Sequence, residues 1–547
     1  MKLPVIVLVL GVFGPLHAQA QASASTASPV ERLGTVHFQV SCSERVRADF
    51  NRGVALLHDF WYDEAQRQFE KIARRDPDCA MAYWGTALSR YHQIWDRPDQ
   101  ATLDSGWKEI SRGAAPAART ARERAYIAAA AAFFKPGQKD YQTRVDAYSA
   151  AMAELYQRYP DDVDAGAFYA LSLLAAEPIG DTSLNAERAA LAVLNPLFAK
   201  YPDHPGLVHY IIHACDTPSL AADGLTAARH YGDIAPSAAH AVHMPGHIFA
   251  RLGMWPEDIR VNLLSVAASQ AAQARQQSDG MDQFHSDDFL FYAYLQSGDE
   301  ASARRVMDDS TALMTQYESM PDMNLPMMQI MFPYLRNHFP AFYYLETRDW
   351  KSAAALDPAS GGGPEDKMVT YWARAVAHGH LRDPAKARAD LVERDALLEE
   401  VKHGPYAYLA NSTHAQISHS ELQAWVAFAE GHEAEALQHM REAAELQDKV
   451  GQGEVDIPAR EMLADMLLEF HHPQEALDEY ERALAHSPKR FNGLFHAGMA
   501  AEATGDRDKA AKFYAALLES TDQGAHSTRP ELIQARNFLS SVKVTAN

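Results

Sequence analysis

The sequence predicts an all-α solenoid of stacked helix pairs, and three observations carry that prediction. Apolar residues recur at helical rather than alternating spacing, glycine and proline are confined to punctuation points, and a 34-residue pattern of small and aromatic residues occurs near both ends of the chain. At 547 residues the chain exceeds what one hydrophobic core usually supports, and the repeats make a quasi-linear array the expected solution.

The first unit lies between Phe50 and His92, where Gly53, Ala65, Phe69 and Pro77 stand at positions 8, 20, 24 and 32 of a 34-residue unit. Each unit is two antiparallel helices. The small residues allow close approach, Phe69 fills the gap between the helices, and Pro77 stops the second helix. The register returns with Leu463, Ala476, Tyr480, Ala483 and Pro488, followed by Gly498, Ala510 and Tyr514. On these residues the chain resembles the tetratricopeptide-repeat (TPR) family. The resemblance implies an α-solenoid with a concave groove lined mainly by the first helix of each pair, and a protein or peptide as its occupant.

Between the two ends the units are less regular. Gly253-Met254-Trp255, Leu295-Gln296-Ser297-Gly298-Asp299, Arg348-Asp349-Trp350 with Ala353, and Gly431 with Ala436 mark degenerate units. Roughly eight to eleven helix pairs are expected. Breaks fall near Lys135 to Lys139, Ser319 to Pro326 and Ala359 to Pro364. The expected divisions are N-terminal repeats over 41–135, central histidine-rich repeats over 140–318 and C-terminal repeats over 319–545.

Ahead of the repeats, Met1-Lys2-Leu3-Pro4, an apolar run from Val5 to Leu16 and Ala18-Gln19-Ala20 follow the order of a secretory signal. Residues 1–20 are read as that signal, cleaved after Ala20, and 21–40 as a flexible leader; the mature protein is expected to be periplasmic or secreted. No later uncharged apolar stretch reaches about 20 residues, so no membrane span is expected. A formal charge of -22 repels nucleic acid and anionic membranes and argues against either as the main partner. Cys42 and Cys79 bracket the first repeat and are the expected disulfide, tying down the solenoid's end; two buried free thiols are the alternative.

The segment from Pro202 to Trp255 departs from a bland repeat. His209 and His213 stand four apart, His243 and His247 stand four apart, and the two pairs are separated by one 34-residue period. Residues four apart share a helix face, and residues one period apart occupy equivalent places on neighbouring helices. Four imidazoles are therefore expected to converge on one candidate metal site. Asp216 and His240 fall near the same faces as further ligands or orienting partners. Aligning Gly298 with Gly253 sets His285 opposite His240 and Asp288 opposite His243. Against this, Pro245 and Gly246 separate His243 from His247, and a helix starting at Pro245 would not require the two rings to share a face. Histidine with carboxylate suits Zn, Fe or Mn, whereas Cys215 and Met244 nearby would suit Cu.

Met320, Met323, Met327, Met328 and Met331 form a methionine-rich segment, read as apolar filler with Cu(I) binding as the sharper alternative. Tyr406, Tyr408, His414 and His419 read as a packed helix face. The chain lacks His-Glu-x-x-His, Gly-x-Ser-x-Gly, Gly-x-x-x-x-Gly-Lys and Cys-x-x-Cys, so hydrolase, nucleotide and thiol-redox readings have no local support. Two functions remain. One is an exported scaffold that binds a protein or peptide, with the histidines as groove residues or a structural metal clip, otherwise without cofactor. The other is a metal-dependent (Zn, Fe or Cu) binding protein or enzyme, with Asp216 and Asp288 as first candidates for acid or base.

Overall fold

The computed structural model describes residues 31–94, 97–114, 120–137, 140–178, 180–277, 280–320, 328–404 and 406–545. Among these residues the regular structure is helical throughout, without a strand. The described residues from Arg32 onward form one compact unit. The signal segment 1–20 and residues 21–30 of the leader lie outside the described residues.

The first repeat follows the register. Helices Glu44–His58 and Tyr62–Arg75 pack with the Phe69 ring over Gly53, where an added Cβ would come within 2.8 Å of that ring. The same ring also covers Gly85 of the next helix, Ala80–Leu88. Near the C-terminus Tyr514 covers Gly498 in the same way, and Ala65, Ala476 and Ala510 are fully buried. Close helix approach thus rests on a ring seated where a Cβ is missing.

The turn between the two helices of a unit needs a left-handed residue. Gly253, Gly298, Gly431 and Gly505 supply it with φ between 62° and 83°, and Phe60, Arg348, Arg382 and His471 supply it without glycine. An aspartate frequently follows. Asp299, Asp349, Asp383 and Asp506 each accept a backbone N–H three residues on, capping the second helix. The degenerate units read from Trp255, Asp299, Trp350 and Gly431 accordingly begin second helices at Trp255, Glu300, Trp350 and Glu433. The second helix of the unit at Trp350 is short, ending at Ala354, and the next helix starts at Pro364 after the glycine run 361–363.

The leader expected through residue 40 requires correction. From Arg32 the chain is extended but anchored: the Arg32 N–H donates to Ser237 Oγ (2.9 Å), the Thr35 N–H to the Asp203 carbonyl (3.0 Å) and the Phe38 N–H to Asn51 Oδ1 (3.0 Å). Buried Leu33, Val36 and Phe38 explain why this stretch docks, since leaving their apolar surface in water would cost about 1.5–3 kcal/mol per large side chain. A disulfide joins Cys42 to Cys79 across the first repeat.

The C-terminal repeats meet the histidine-bearing ones directly. Trp255 Nε1 donates to the Lys489 carbonyl (2.9 Å), the Tyr292 hydroxyl to the Asp456 carbonyl (2.7 Å) and the Phe491 N–H to Gln296 Oε1 (3.0 Å). Buried Arg490 pairs with Glu346 and Glu461, each at 2.8 Å, so its charge is compensated on two sides. These contacts hold the link 451–458, between helices Glu433–Val450 and Ala459–Glu469, against the histidines.

Candidate metal centre

Helix Pro205–Cys215 starts on Pro205, where a missing N–H costs nothing, and carries His209 and His213 one turn apart. His209 Nδ1 lies 2.6 Å from the His58 carbonyl, which can only accept, so this nitrogen carries the proton and Nε2 is bare. That Nε2 stands 3.0 Å from His213 Nε2 and 3.1 Å from His240 Nε2. One bare nitrogen accepts one hydrogen bond, so protons cannot satisfy both contacts; a shared cation can. Ligand atoms on a tetrahedral zinc with bonds of about 2.0–2.1 Å stand about 3.3 Å apart, within a few tenths of an ångström of the distances found.

His58 is itself held in place. Its Nε2 lies 3.1 Å from Asp164 Oδ1, which also receives His204 Nε2 at 3.2 Å, and its Nδ1 lies 2.9 Å from the Tyr210 hydroxyl. Burial brings the His58 pKa down to about 4, so the ring is neutral and donates to Asp164 while accepting from Tyr210. Gly206 leaves the room that this ring needs.

The second set stands beside the first. Pro245 does not break the geometry, because helix Ala239–His243 ends at Met244, itself in right-handed helical conformation (φ -49°, ψ -37°), and Pro245 is the first residue of helix Pro245–Arg251. His243 Nε2 and His247 Nε2 are 3.0 Å apart. His243 Nδ1 lies 2.7 Å from Asn262 Oδ1, and Asn262 Nδ2 donates to the Asp258 carboxylate (2.6 Å), which fixes the amide's orientation and leaves His243 Nε2 bare. His285, from helix Met281–Gln296, brings its ring centroid 4.4 Å from that of His243 and 5.8 Å from that of His247.

The expected single site of His209, His213, His243 and His247 is therefore corrected to two three-histidine sets. His209, His213 and His240 form one; His243, His247 and His285 form the other, with one ligand atom of each residue within 4.8 Å of the others in its set. The reason is the short helix Ala239–His243. His240 and His243, three apart, each serve a different set, a division that a four-residue pairing rule does not foresee.

Electrostatics distinguish the sets. Burial drives His209 and His240 far below the ordinary histidine range and His213 to about 3, so the first set is neutral. In the second, burial likewise lowers His243 strongly and His285 to about 4. For His247 burial is outweighed by Asp216, 2.9 Å from Nδ1, and by Glu454 at 3.3 Å, which together lift it to about 10. Arg251 bridges the same two carboxylates at 2.9 Å each.

Asp216 is thus an orienting partner of His247 and stands behind the ligand ring. Asp288 is not in either set, because one turn beyond His285 it receives the Tyr334 hydroxyl (3.2 Å) and faces His338, with burial pushing its pKa up to about 7. Cys215 packs against Gly224 and Met244 lies in the N-terminal core, so Cys215 joins neither set. Met320 is exposed and Met331 packs on the C-terminal core; Met323, Met327 and the Met328 side chain lie outside the described residues. His419 pairs with Asp395, and His414 lines a cleft of about 480 Å3 that reaches the centre at Asp216 and Arg251.

Four contributors carried no signal in the sequence: Glu454, Asn262, Phe60 and Phe289. Glu454 arrives from 207 residues beyond His247. Phe60 lies 4.3 Å from His209, 5.4 Å from His213 and 5.6 Å from His240, and Phe289 lies 4.8, 4.7 and 5.5 Å from His243, His247 and His285, so each set has one phenyl wall.

A tetratricopeptide-repeat family model matches residues 62–101 and 461–525. No curated protein matches the chain. Among solved structures, the human IFIT1 dimer with m7Gppp-AAAA is similar at 10% identity and TM-score 0.35, over 85% of this chain and 94% of that one. The P58(IPK) TPR domain is similar at 14% identity and TM-score 0.21, over 70% and 99%. The fold of stacked repeats is that of protein-interaction scaffolds, and no described helix is long and apolar enough to cross a membrane. The matched segments fall on the units that carry Phe69, Tyr480 and Tyr514, and residues 62–101 and 461–525 are tetratricopeptide repeats.

Proposed function

We propose that this protein is an exported repeat scaffold that binds transition-metal ions in its two three-histidine sets, as a metal-dependent binding protein or enzyme, with a protein or peptide as the occupant of its groove. The observation that carries the reading is the bare His209 Nε2 set between two other Nε2 atoms at 3.0 and 3.1 Å. A polar core built only for packing would turn a donor toward each acceptor, since an unsatisfied buried polar atom costs about 1–3 kcal/mol. Three protein ligands leave each ion a further position for solvent or substrate, the pattern of reactive rather than structural sites. Imidazoles suit Zn, Cu and Fe. Export is supported by the Cys42–Cys79 disulfide, which persists in an oxidising compartment.

The test is metal analysis of tag-free full-length protein, stripped with chelator and re-equilibrated with Zn2+ or Cu2+. Stoichiometric metal and a raised Tm are expected, with both lost in a His209→Ala, His243→Ala double variant whose helical circular dichroism is unchanged. Wild-type protein that retains no metal and melts at the same temperature with and without these ions overturns the proposal.

A further inference from the structure

Resting on the metal-binding reading above, we infer that the two three-histidine sets act as one dinuclear copper centre that binds dioxygen between its ions. The sets are neighbours by construction, since His240 and His243 sit on the same short helix with ring centroids 6.4 Å apart. Each set supplies three nitrogens, so each ion keeps an open position. Two ions on such adjoining sets are within reach of the ~3.5–4 Å at which paired metals share a small bridging ligand.

The donor chemistry narrows the metal to those that imidazole suits, copper among them, and the surroundings narrow the ligand. All six side chains of the two sets are imidazoles, whereas hard cations such as Mg2+ and Mn2+ favour carboxylate oxygen. Hydrolysis at a metal pair would need a group to move protons. Here the six rings serve as ligands, and the nearest carboxylates, Asp216 and Glu454, are spent behind His247 and on Arg251. Phe60 and Phe289 wall the two sets with apolar rings. Dioxygen asks for none of the missing groups. Each Cu(I) gives up one electron, dioxygen takes up both, the O–O double bond becomes single, and one new bond forms from oxygen to each copper, with no proton gained or lost.

The experiment loads chelator-stripped, tag-free full-length protein with Cu(I) without air, counts copper per chain, then admits a measured quantity of dioxygen. Roughly two coppers per chain, uptake of one dioxygen per two coppers, and oxidised protein silent in electron paramagnetic resonance are expected, because paired Cu(II) spins cancel across a bridge. His213→Ala, which removes one ligand of the first set only, is expected to lose the uptake while retaining copper in the second set. Full copper loading with the resonance of two isolated Cu(II) ions, or without dioxygen uptake, overturns this inference and leaves metal binding standing. Failure to take up copper, zinc or iron at all overturns both.

Discussion

His240 and His243 lie three residues apart, just under one helical turn, and yet serve different histidine sets, their ring centroids 6.4 Å apart. Each is the member that stitches its set to the neighbouring repeat. His240 Nε2 meets His209 Nε2 from the preceding repeat at 3.1 Å, and the His243 ring meets that of His285 from the following one at 4.4 Å. The pair therefore makes the two sets a single structural feature, and substitutions should separate their contributions.

Removing one set at a time should halve the metal content. His209→Ala is expected to abolish binding to the first set and His243→Ala to the second, each variant retaining about one ion where the wild type holds about two. Inductively coupled plasma mass spectrometry on chelator-stripped and reloaded protein reads the outcome. Equal retention of both ions by either variant would mean that the sets are wrongly divided.

Asn262 touches no ligand atom that faces the centre, yet it fixes the His243 tautomer through the 2.7 Å contact to Nδ1. Asn262→Leu should weaken metal at the second set by about 10–100-fold, the usual effect of losing such a partner, and leave the first set unchanged. Competition against a chromophoric chelator measures both affinities in one titration.

The metal-free protein should lose stability on both sides of neutrality, for opposite reasons. His58, His213 and His285 have folded pKa values lowered to about 4, 3 and 4, so below the unfolded value of about 6.5 the unfolded chain binds more protons and stability falls as pH falls toward those values. His247 is the reverse. Raised to about 10, it contributes stability that is fully present below about 6.5 and lost as pH rises through about 10. Thermal melts from pH 4 to 10.5 should trace a dome, and Glu454→Gln should flatten its alkaline side selectively.

Reducing the Cys42–Cys79 bond, whose partners are 37 residues apart, should destabilise the N-terminal repeats by about 2–4 kcal/mol. Hydrogen exchange with and without reductant localises the effect. Faster exchange confined to helices Glu44–His58 and Tyr62–Arg75 is expected, with helices near the C-terminus unchanged.

Repeat architecture was legible because it is a local matter. Gly53 with Phe69 and Gly498 with Tyr514 are ring-and-gap pairs separated by a fixed 16 residues within one unit, and helical periodicity alone dictates that they meet. The identity of the histidine-rich segment was legible for the same reason, since a 34-residue period aligns His209 with His243 and His213 with His247. Asp288 was misjudged because an alignment across an irregular spacing does not reveal which way a side chain turns, and it turns to Tyr334 and His338.

The chain alone thus determined a helical solenoid and the stretch where imidazoles gather, because both follow from spacings within one or two repeats. Tertiary structure alone decided how six histidines divide into two sets, which ring nitrogens are bare, and that Glu454 from a distant repeat joins Asp216 behind His247. The physical reason is range: helix-forming and repeat-stacking energies are set by near neighbours, whereas a buried ring's tautomer and charge are set by whichever carbonyl, amide or carboxylate the folded chain brings within about 3 Å.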